Sequence, residues 1–422
     1  MASELQRIVD TVAAQLQCSA ALDDTHFRLQ VYSPHYGPVD ETRLASILHR
    51  KVEGPAVDWV AAQGIAEANG AIRIPGNAEH ALLPRVCAPV RCRDAHLGYL
   101  WLVNADEHLT DCDLDTVTEA AETAGVVMYR EQLQEDLERA RERELLRDLF
   151  STDAAVREHA ADELIDANLF VPAQRVVVFA LRPVVVDGAT GQSPQTAVDL
   201  ALMQVRRHLM VHNALHIGLH DRGVLLAAVP QHRDEREWLT DIGERLRSAL
   251  TDSLPSEPET WRSVVGIGDT VDSLTEAAVS QRQAYQAAQV AEVLKTDDVM
   301  AWHDLGIYRT LIQLPQEELT ESALHPGLVT LLATDGAAPL LETLECFLDN
   351  AGDVKATAQQ LVVHRATLYY RLDRVESLTG LSMRNGSDRL VMHLGLKMAR
   401  LAGLYPGGGV SSRSADPPAT AS

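Results

Sequence analysis

The sequence predicts a multidomain α+β protein whose C-terminal region is all helical. Its 422 residues correspond to about three domains at roughly 150 residues each. Two stretches, one before residue 128 and one between residues 151 and 300, combine strand-like alternation with helical periodicity. Beyond Trp302 the periodicity is helical only, so the type of domain changes along the chain.

The composition is typical of a cytoplasmic protein. Apolar residues make up 46% and charged residues 23% of the chain, and no apolar run reaches the roughly 18 to 20 residues that a membrane span needs. The first 20 residues lack the basic start and apolar stretch of a signal peptide. The five cysteines are scattered and never spaced CxxC, which favours reduced, structural thiols over disulfides or a zinc site. We therefore expect no membrane partner.

The first 128 residues alternate as a mixed sheet domain does. HFRLQVYS (26–33), RVCAPVRC (85–92) and LGYLWLV (97–103) each predict a strand. The four residues between the last two, 93–96, predict the turn of a hairpin. Helical spacing of apolar residues begins near Leu114.

A charged segment, residues 129–150, follows without glycine or proline. We expect one long helix that leaves the sheet domain near Asp111 and ends by about Ser151. Its thin apolar line consists of Leu133, Leu137, Ala140 and Leu145. The line favours pairing with a second copy, and hence a homodimer, over a solvated lone helix.

Residues 151–300 predict a second sheet domain. RVVVFALRPVVV (175–186) and WRSVVGIGD (261–269) predict strands, and LHIGLHDRGVLLAAVP (215–230) predicts a hairpin folded at Asp221-Arg222-Gly223. The stretches 201–210 and 274–294 have helical periodicity. Strands and helices thus alternate as in an α/β sandwich.

Residues with catalytic or metal-binding potential are few. His208, His212, His216 and His220 are spaced by four and would form a ladder of zinc ligands on one continuous helix. Asn213 ends the helical pattern, however, and LHIGLH alternates like a strand, so only the first two share a helical face. GxSxG, P-loop and HExxH motifs are absent. We predict no metal, no cofactor and no catalytic residue.

The charge is unevenly distributed. The chain carries a net charge of −23, whereas Leu340–Tyr405 contains eight basic and seven acidic residues. Because phosphate affinity rests on Lys and Arg, the acidic remainder would repel a duplex. A nucleic-acid-binding module is therefore expected only at the C-terminus.

A helix-turn-helix is predicted within this C-terminal region. An apolar stripe ending in Phe347 and Leu348 stops at Asn350-Ala351-Gly352, and Asp353 then caps a second helix with Val354, Ala358 and Leu361 on one face. After the turn Val362-Val363-His364, a third helix presents its own apolar face. That face consists of Leu368, Leu372 and Val375.

The opposite face of the third helix suits a DNA groove. At 100° per residue, Ala366, Tyr370 and Asp373 point away from Leu368, with Thr367 and Arg374 on one side. A small residue for close approach, hydrogen-bonding and aromatic groups for base edges, and cations at the margins are what a major-groove helix needs. A packed helical hairpin with a solvated face is the alternative, and the agreement of turn, spacing and Ala358 favours DNA binding.

The stretch TAQQLVVHRATLYYRLDRVESLTG (357–380) resembles the C-terminal helix-turn-helix of PucR/CdaR-type bacterial transcriptional regulators, and the resemblance extends over Leu340–Leu401. Residues 170–300 resemble that family's GGDEF-like central domain, and residues 20–128 look like a GAF-type sensory domain. Where working cyclases carry the Gly-Gly-Asp/Glu-Glu-Phe loop, this chain has 219–223, LHDRG. The resemblance therefore implies a central domain without cyclase chemistry.

The residue patterns and the resemblance together predict five regions and a set of DNA-binding residues. The regions are a GAF-like sensory domain (1–128), a helical connector (129–150), a GGDEF-like domain (151–300), a linker with the helix-turn-helix (301–405) and a disordered tail (406–422). The DNA-binding residues are Lys355, His364, Arg365, Thr367, Tyr370, Arg371 and Arg374. Val362 stands where the related turn has Gly, so the turn must avoid a left-handed conformation there or carry strain.

The sequence thus predicts a non-enzymatic, sequence-specific regulator that binds double-stranded DNA as a homodimer and responds to a small-molecule effector or partner. The alternative is a cyclase-like nucleotide-binding enzyme whose helical C-terminus binds protein partners. Incubation with GTP and Mg²⁺, followed by a search for cyclic dinucleotide, distinguishes the two. Whether Cys87, Cys92 or the GAF-like pocket senses redox state or a metabolite is open, with structural cysteines favoured.

Overall fold

The computed structural model describes residues 3–38, 40, 55–172, 175–186, 194–210, 212–219, 221–254, 261–295 and 297–405. The chain combines α/β regions with an all-helical C-terminal region, as predicted. It divides into two units, residues 1–140 and 141–422. The tail predicted to be disordered lies outside the described residues. No helix in the described part of the chain combines the length and apolar character that a membrane crossing requires.

The first unit is built on a five-stranded sheet of order β2-β1-β5-β4-β3 with antiparallel pairing throughout. One face of the sheet packs on α1 and the first half of α3. Gly125 permits this, since a Cβ there would lie 2.2 Å from the carbonyl oxygen of Arg91. The elements are α1 Glu4–Leu16, β1 Ala20–Asp24, β2 Leu29–Tyr32, α2 Pro55–Ala61, β3 Ile72–Ile74, β4 Arg85–Cys92, β5 Ala95–Val103 and α3 Asp111–Leu149.

The predicted hairpin forms between β4 and β5, but its turn is shorter than expected. Arg93 adopts a left-handed φ of 54°, and Ala95 already pairs with Cys92. The other face of the sheet carries aromatic side chains, with the rings of Phe27 and Tyr99 stacked at 5.1 Å. Burial raises the pKa of the Cys87 thiol well above its usual value, an effect that the charge of Asp23 reinforces. The thiol is therefore protonated at neutral pH.

The long connector helix is confirmed, since α3 runs for 39 residues. Its predicted apolar line is wrong at one position. Leu145 is only 5% exposed and belongs to the core of the second unit, whereas Leu133 and Leu137 are 50% and 64% exposed. Glu142 near its end accepts two hydrogen bonds from Arg206, at 2.7 and 2.9 Å, which joins this end of α3 to the helix Gln195–Arg206.

The second unit begins with a three-layer α/β/α sandwich. Its sheet has the order β10-β9-β6-β8-β7, with only β10 and β9 parallel. Helices α5 and α6 cover one face, while α4, α7 and the end of α3 cover the other. The elements are α4 Ala154–Asp166, β6 Val176–Val185, α5 Gln195–Arg206, β7 Ala214–Leu219, β8 Arg222–Ala228, α6 Glu235–Ser253, β9 Trp261–Ile267, α7 Ala277–Leu294 and β10 Val299–Ala301.

The histidine series is not helical. Helix α5 ends at Arg206, so His208 and His212 follow it rather than share its face, and His212 has a left-handed φ of 62°. His216 lies on β7 and His220 outside the described residues. Among the described residues no group of His, Cys, Asp or Glu side chains is arranged to hold a metal ion. The β7–β8 turn also comes earlier than predicted, because Arg222 and Gly223 are already in β8.

The rest of the second unit, after Trp302, forms regular structure only as helices within its described residues. Helix α13 has two buried faces: Met392 and Leu396 pack among α9–α12, while Leu401 packs with Val290 of α7. The elements are a 3-10 turn Trp302–Asp304, α8 Tyr308–Leu311, 3-10 turns Gln316–Glu318 and Glu321–Ala323, α9 Pro326–Leu332, α10 Ala338–Asp349, α11 Val354–Gln360, α12 Arg365–Thr379 and α13 Gly386–Leu401.

A buried ion network joins α10 to α13. Glu345 is 5% exposed, and its carboxylate lies 3.0 Å from Lys397 Nζ and 2.5 Å from Arg400 Nη2. The hydroxyl of Tyr405 donates to the same carboxylate at 3.4 Å. Burial is the largest single effect on the pKa of Arg400 and lowers it, yet the negative charge of Glu345 and the contributions of Tyr405 and Tyr308 together outweigh burial and raise the pKa. Lys397 Nζ also lies 2.9 Å from Asp349 Oδ1. The two carboxylates of Glu345 and Asp349 thus balance two cations that have little access to water.

Replacing Glu345 by Ala should destabilise the packing of α13. The change leaves Arg400 buried without its counter-charge and Lys397 with Asp349 as its remaining acidic partner, which costs about 3 to 5 kcal/mol. Hydrogen exchange of the α13 amides should report the loss. Glu342→Ala on the exposed side of the same helix is the control and should stay within about 0.5 kcal/mol. Equal protection in both variants would contradict the assignment.

Candidate nucleic-acid interface

Helices α11 and α12 form the predicted helix-turn-helix. Asp353 caps α11, accepting hydrogen bonds from the backbone N–H groups of Lys355 at 2.7 Å and Ala356 at 3.0 Å. These bonds, reinforced by the charges of Lys355 and Arg365, lower the pKa of Asp353. The first residue of α12 therefore lies near the start of α11, and the predicted cap is confirmed.

The apolar seam of α12 is also confirmed. Leu368 and Val375 are fully buried and Leu372 is 6% exposed, all within one core with α9, α10 and α13. Ala358 of α11 belongs to the same core, and its carbonyl oxygen accepts from the N–H of Val363 at 3.0 Å. The seam determines which side of α12 is left to solvent.

The turn between the helices carries backbone strain. Val362 has a φ of +53°, although a β-branched side chain strongly disfavours the left-handed region. Its side chain is 90% exposed and thus gains little from packing. The sequence left two alternatives open, a turn that avoids the left-handed conformation at Val362 or a turn that carries strain. The structure shows the second.

The outward face of α12 holds the residues predicted for it. Ala366, Thr367, Asp373 and Arg374 are exposed, and Tyr370 is 72% exposed. A small residue, a hydroxyl, a phenol and a guanidinium therefore share one solvent-facing surface. Hydrogen-bonding groups on one helix face are able to meet base edges in a major groove.

Lys355 and Arg365 lie at the margin of this surface. Both side chains are exposed, and both are close enough to Asp353 for their charges to act on its carboxylate. Cations at the edge of a groove-binding helix meet phosphates rather than bases. The structure thus brings these two predicted residues together beside the start of α12.

His364 has a local structural task. It is the N-cap of α12, and its Nδ1 accepts from the N–H of Ala366 at 3.2 Å. An imidazole that accepts at Nδ1 must be unprotonated at that atom. The ring Nε2 is the atom left for a contact with another molecule.

Arg371 is placed differently from the other predicted residues. It is only partly exposed, and its Nη1 donates to Thr343 Oγ1 at 3.0 Å. Thr343 is fully buried on α10 and donates in turn to the carbonyl oxygen of Pro339 at 2.6 Å. The side chain therefore attaches α12 to α10. Sequence reasoning missed Thr343, a hydroxyl within the apolar stripe of α10.

Replacing Val362 by Gly should stabilise the helix-turn-helix. Glycine adopts a positive φ without the clash that costs other residues roughly 1 to 2 kcal/mol, and the exposed valine loses no packing. Amides of α11 and α12 should then exchange more slowly with solvent. The neighbouring Val363→Gly is the control: Val363 packs against the core, so its loss should destabilise. Slower exchange in neither variant would show that the turn is unstrained.

A known family model matches the part of the chain that contains the helix-turn-helix. The family model described as the PucR C-terminal helix-turn-helix domain matches residues 340–398. The match contains α11, α12 and most of α13, and it begins inside α10. It therefore coincides with the part of the chain in which the exposed face of α12 was found.

Similar proteins match over most of the chain. The proline-responsive transcriptional activator PutR of Bacillus subtilis (strain 168) is 22% identical over 412 residues, covering 94% of this chain and 97% of that protein. The DNA-binding transcriptional activator AdeR of the same organism is 19% identical, covering 94% and 93%. The carbohydrate diacid regulator of Escherichia coli (strain K12) is 25% identical over 268 residues, covering 61% and 69%.

Proposed function

We propose that this DNA-binding transcriptional regulator is of the PucR/CdaR type and reads a specific duplex sequence with the outward face of α12. The observation that carries this proposal is that α12 has one buried apolar face and one exposed polar face. Leu368, Leu372 and Val375 are buried, while Thr367 and Tyr370 are exposed on the other side. A helix held in this way presents one fixed set of side chains to the major groove.

The proposed contacts divide by chemistry. Thr367 and Tyr370 near the centre of the exposed face read base edges, because base contacts carry sequence discrimination. Lys355, Arg365 and Arg374 contact phosphates. His364 contributes through its Nε2, and Arg371 through the guanidinium N–H groups that do not bond Thr343.

We also propose that the regulator works as a homodimer. A single helix-turn-helix buries little surface on DNA, and pairing two modules doubles both base readout and phosphate contact on a repeated site. The exposed leucines of α3 supply a pairing surface outside the DNA-binding region.

Tyr370→Ala should weaken binding to the cognate site by about 1 to 3 kcal/mol while affinity for random DNA changes little. Arg374→Ala should instead weaken both and lower the salt slope by about 0.9 for each phosphate that is no longer neutralised, or twice that in a dimer. Binding of each variant to cognate and scrambled duplexes over a salt series measures both effects. The cognate site comes from mapping the protein on its own genome.

Arg371→Ala tests whether Arg371 contacts phosphate in addition to its hydrogen bond with Thr343. If Arg371 contacts phosphate, its removal lowers the salt slope; if it acts only through Thr343, affinity falls with the slope unchanged. Arg247→Ala on α6 is the control, because this guanidinium pairs with Glu244 of its own helix at 2.8 Å. Equal loss of cognate and random affinity in Tyr370→Ala would show that α12 does not read bases.

We propose that the first unit is a GAF-like sensory domain that binds a small-molecule effector. Its aromatic cluster supports this: Tyr99 lies 5.9 Å from Trp101 between ring centroids, and the indole N–H of Trp101 is buried without a hydrogen-bond partner among the described residues. A ligand with an acceptor would satisfy that donor. The proposal fails if small molecules that raise the melting temperature of the protein leave its DNA affinity unchanged.

We propose that the α/β sandwich is a GGDEF-like domain without catalytic activity. The β7–β8 hairpin supports this, because it has Asp221 and Arg222 where a cyclase has its glycine-rich acidic loop. Arg222 Nε lies 3.2 Å from Asp221 Oδ1, and the Arg222 guanidinium stacks 5.2 Å from the ring centre of Tyr285. The one acidic group of this turn is thus paired within its own hairpin. Formation of cyclic dinucleotide from GTP and Mg²⁺ would refute the proposal.

A further inference from the structure

One segment of α3 has no packing partner among the residues that the structure describes. All ten residues from 131 to 140 are exposed, although they lie in the middle of a continuous helix. Helical stability in proteins comes mainly from packing an apolar face rather than from intrinsic propensity. A helix segment that is exposed all round and also carries large apolar side chains therefore lacks a partner.

Its apolar side chains lie in one stripe. Val126, Leu133 and Leu137 are 59%, 50% and 64% exposed, and Ala140 continues the line. Their spacing of seven, four and three is the spacing of a coiled-coil seam, in which Leu133 takes the d position and Leu137 the following a position. The other residues of the segment are charged or amides, so the helix offers one seam to one partner.

Arg130 also falls in this seam, between Val126 and Leu133. Its Nη2 lies 2.5 Å from Glu4 Oε2 of α1. The guanidinium is therefore drawn to the side and neutralised within its own chain. Its charge consequently does not prevent the apolar residues of the seam from meeting an identical stripe.

We infer that the partner is the α3 helix of a second copy, parallel and in register. In this arrangement the g position of one helix faces the following e position of the other. Asp136 of one copy then faces Arg141 of the second, twice by symmetry. An antiparallel pair would instead bring the g positions together and place the two Asp136 carboxylates side by side, where like charges repel.

The cation in this pairing is accessible. The side chain of Arg141 is 52% exposed while it donates to Glu163 of its own chain, and other guanidinium N–H groups remain for Asp136 of the second copy. Asp136 itself lies 3.9 Å from Arg139, a weak contact that leaves carboxylate oxygens available. The interchain pairs therefore add to the existing contacts.

The inference deepens the proposed dimeric regulator by assigning its pairing surface and direction. A parallel pair sends both chains onward from the same end of the coiled coil. Two DNA-binding regions that continue from one end are able to occupy neighbouring half-sites together.

Cysteine cross-linking of the full-length protein tests the pairing. In a parallel, in-register dimer, Leu137 faces its own copy, so Leu137→Cys should form a disulfide-linked dimer under mild oxidation, and so should Leu133→Cys. Cys112 is exposed and is replaced by Ser in every variant. Glu138→Cys, one residue around the helix, is the matched control and should give about tenfold less cross-linked dimer. Non-reducing gels measure the yield.

Two outcomes would overturn the inference. If a cross-linked dimer forms only when the Leu133→Cys and Leu137→Cys proteins are mixed, the two helices are antiparallel. If Leu137→Cys and Glu138→Cys give equal yields of cross-linked dimer, the helices do not meet along this seam. Leu137→Asp gives a second test, because an exposed position tolerates the change without unfolding the chain. The mass of this variant, measured by light scattering, should fall to that of a monomer. Tyr370→Ala should cross-link normally, so failure of the seam is distinct from failure of DNA reading.

Discussion

The burial of one face of α12 is the constraint on which the functional surface depends. Leu368, Leu372 and Val375 enter a core formed by α9, α10 and α13, and because side chains recur every 3.6 residues, their burial forces Tyr370 and its neighbours outward. The same packing that stabilises the helix therefore selects its contact surface. In the proposed DNA complex, a substitution in the seam would alter recognition without changing the residues proposed to contact DNA.

Polar interactions then set the position of this helix more finely than apolar packing does. Arg371 joins α12 to the buried hydroxyl of Thr343, and His364 and Asp353 satisfy backbone N–H groups at the starts of the two helices. A buried hydroxyl is costly unless it is bonded, so the Thr343 bond favours one position of α12. The two exposed caps satisfy N–H groups that a helix start leaves without a partner. The strained Val362 shows that the surrounding packing outweighs a local backbone preference.

Helix α13 connects the DNA-binding region to the sandwich within the second unit. One of its faces completes the core around α12, and another packs with α7 and the residues around Trp302. The buried carboxylate of Glu345 holds it against α10. Because both faces of one rigid helix are buried, a shift of α7 against α13 would be passed to the helix-turn-helix. Within the second unit, this packing gives a physical route between the sandwich and the helix-turn-helix.

The sequence by itself determined the features that depend on residues close together in the chain. These are the apolar seam of α12, the Asp353 cap, the strands of both hairpins and the long α3 helix, since periodicity and capping act over a few residues. Only the tertiary structure decided which partners the long polar side chains bond and which apolar residues are buried in a core. Arg371 and Thr343 are 28 residues apart in the chain, and only folding brings them close enough to form a hydrogen bond. Likewise, Leu145 is buried while Leu137 on the same helix is exposed. Such choices depend on what lies opposite each side chain, which local spacing does not specify.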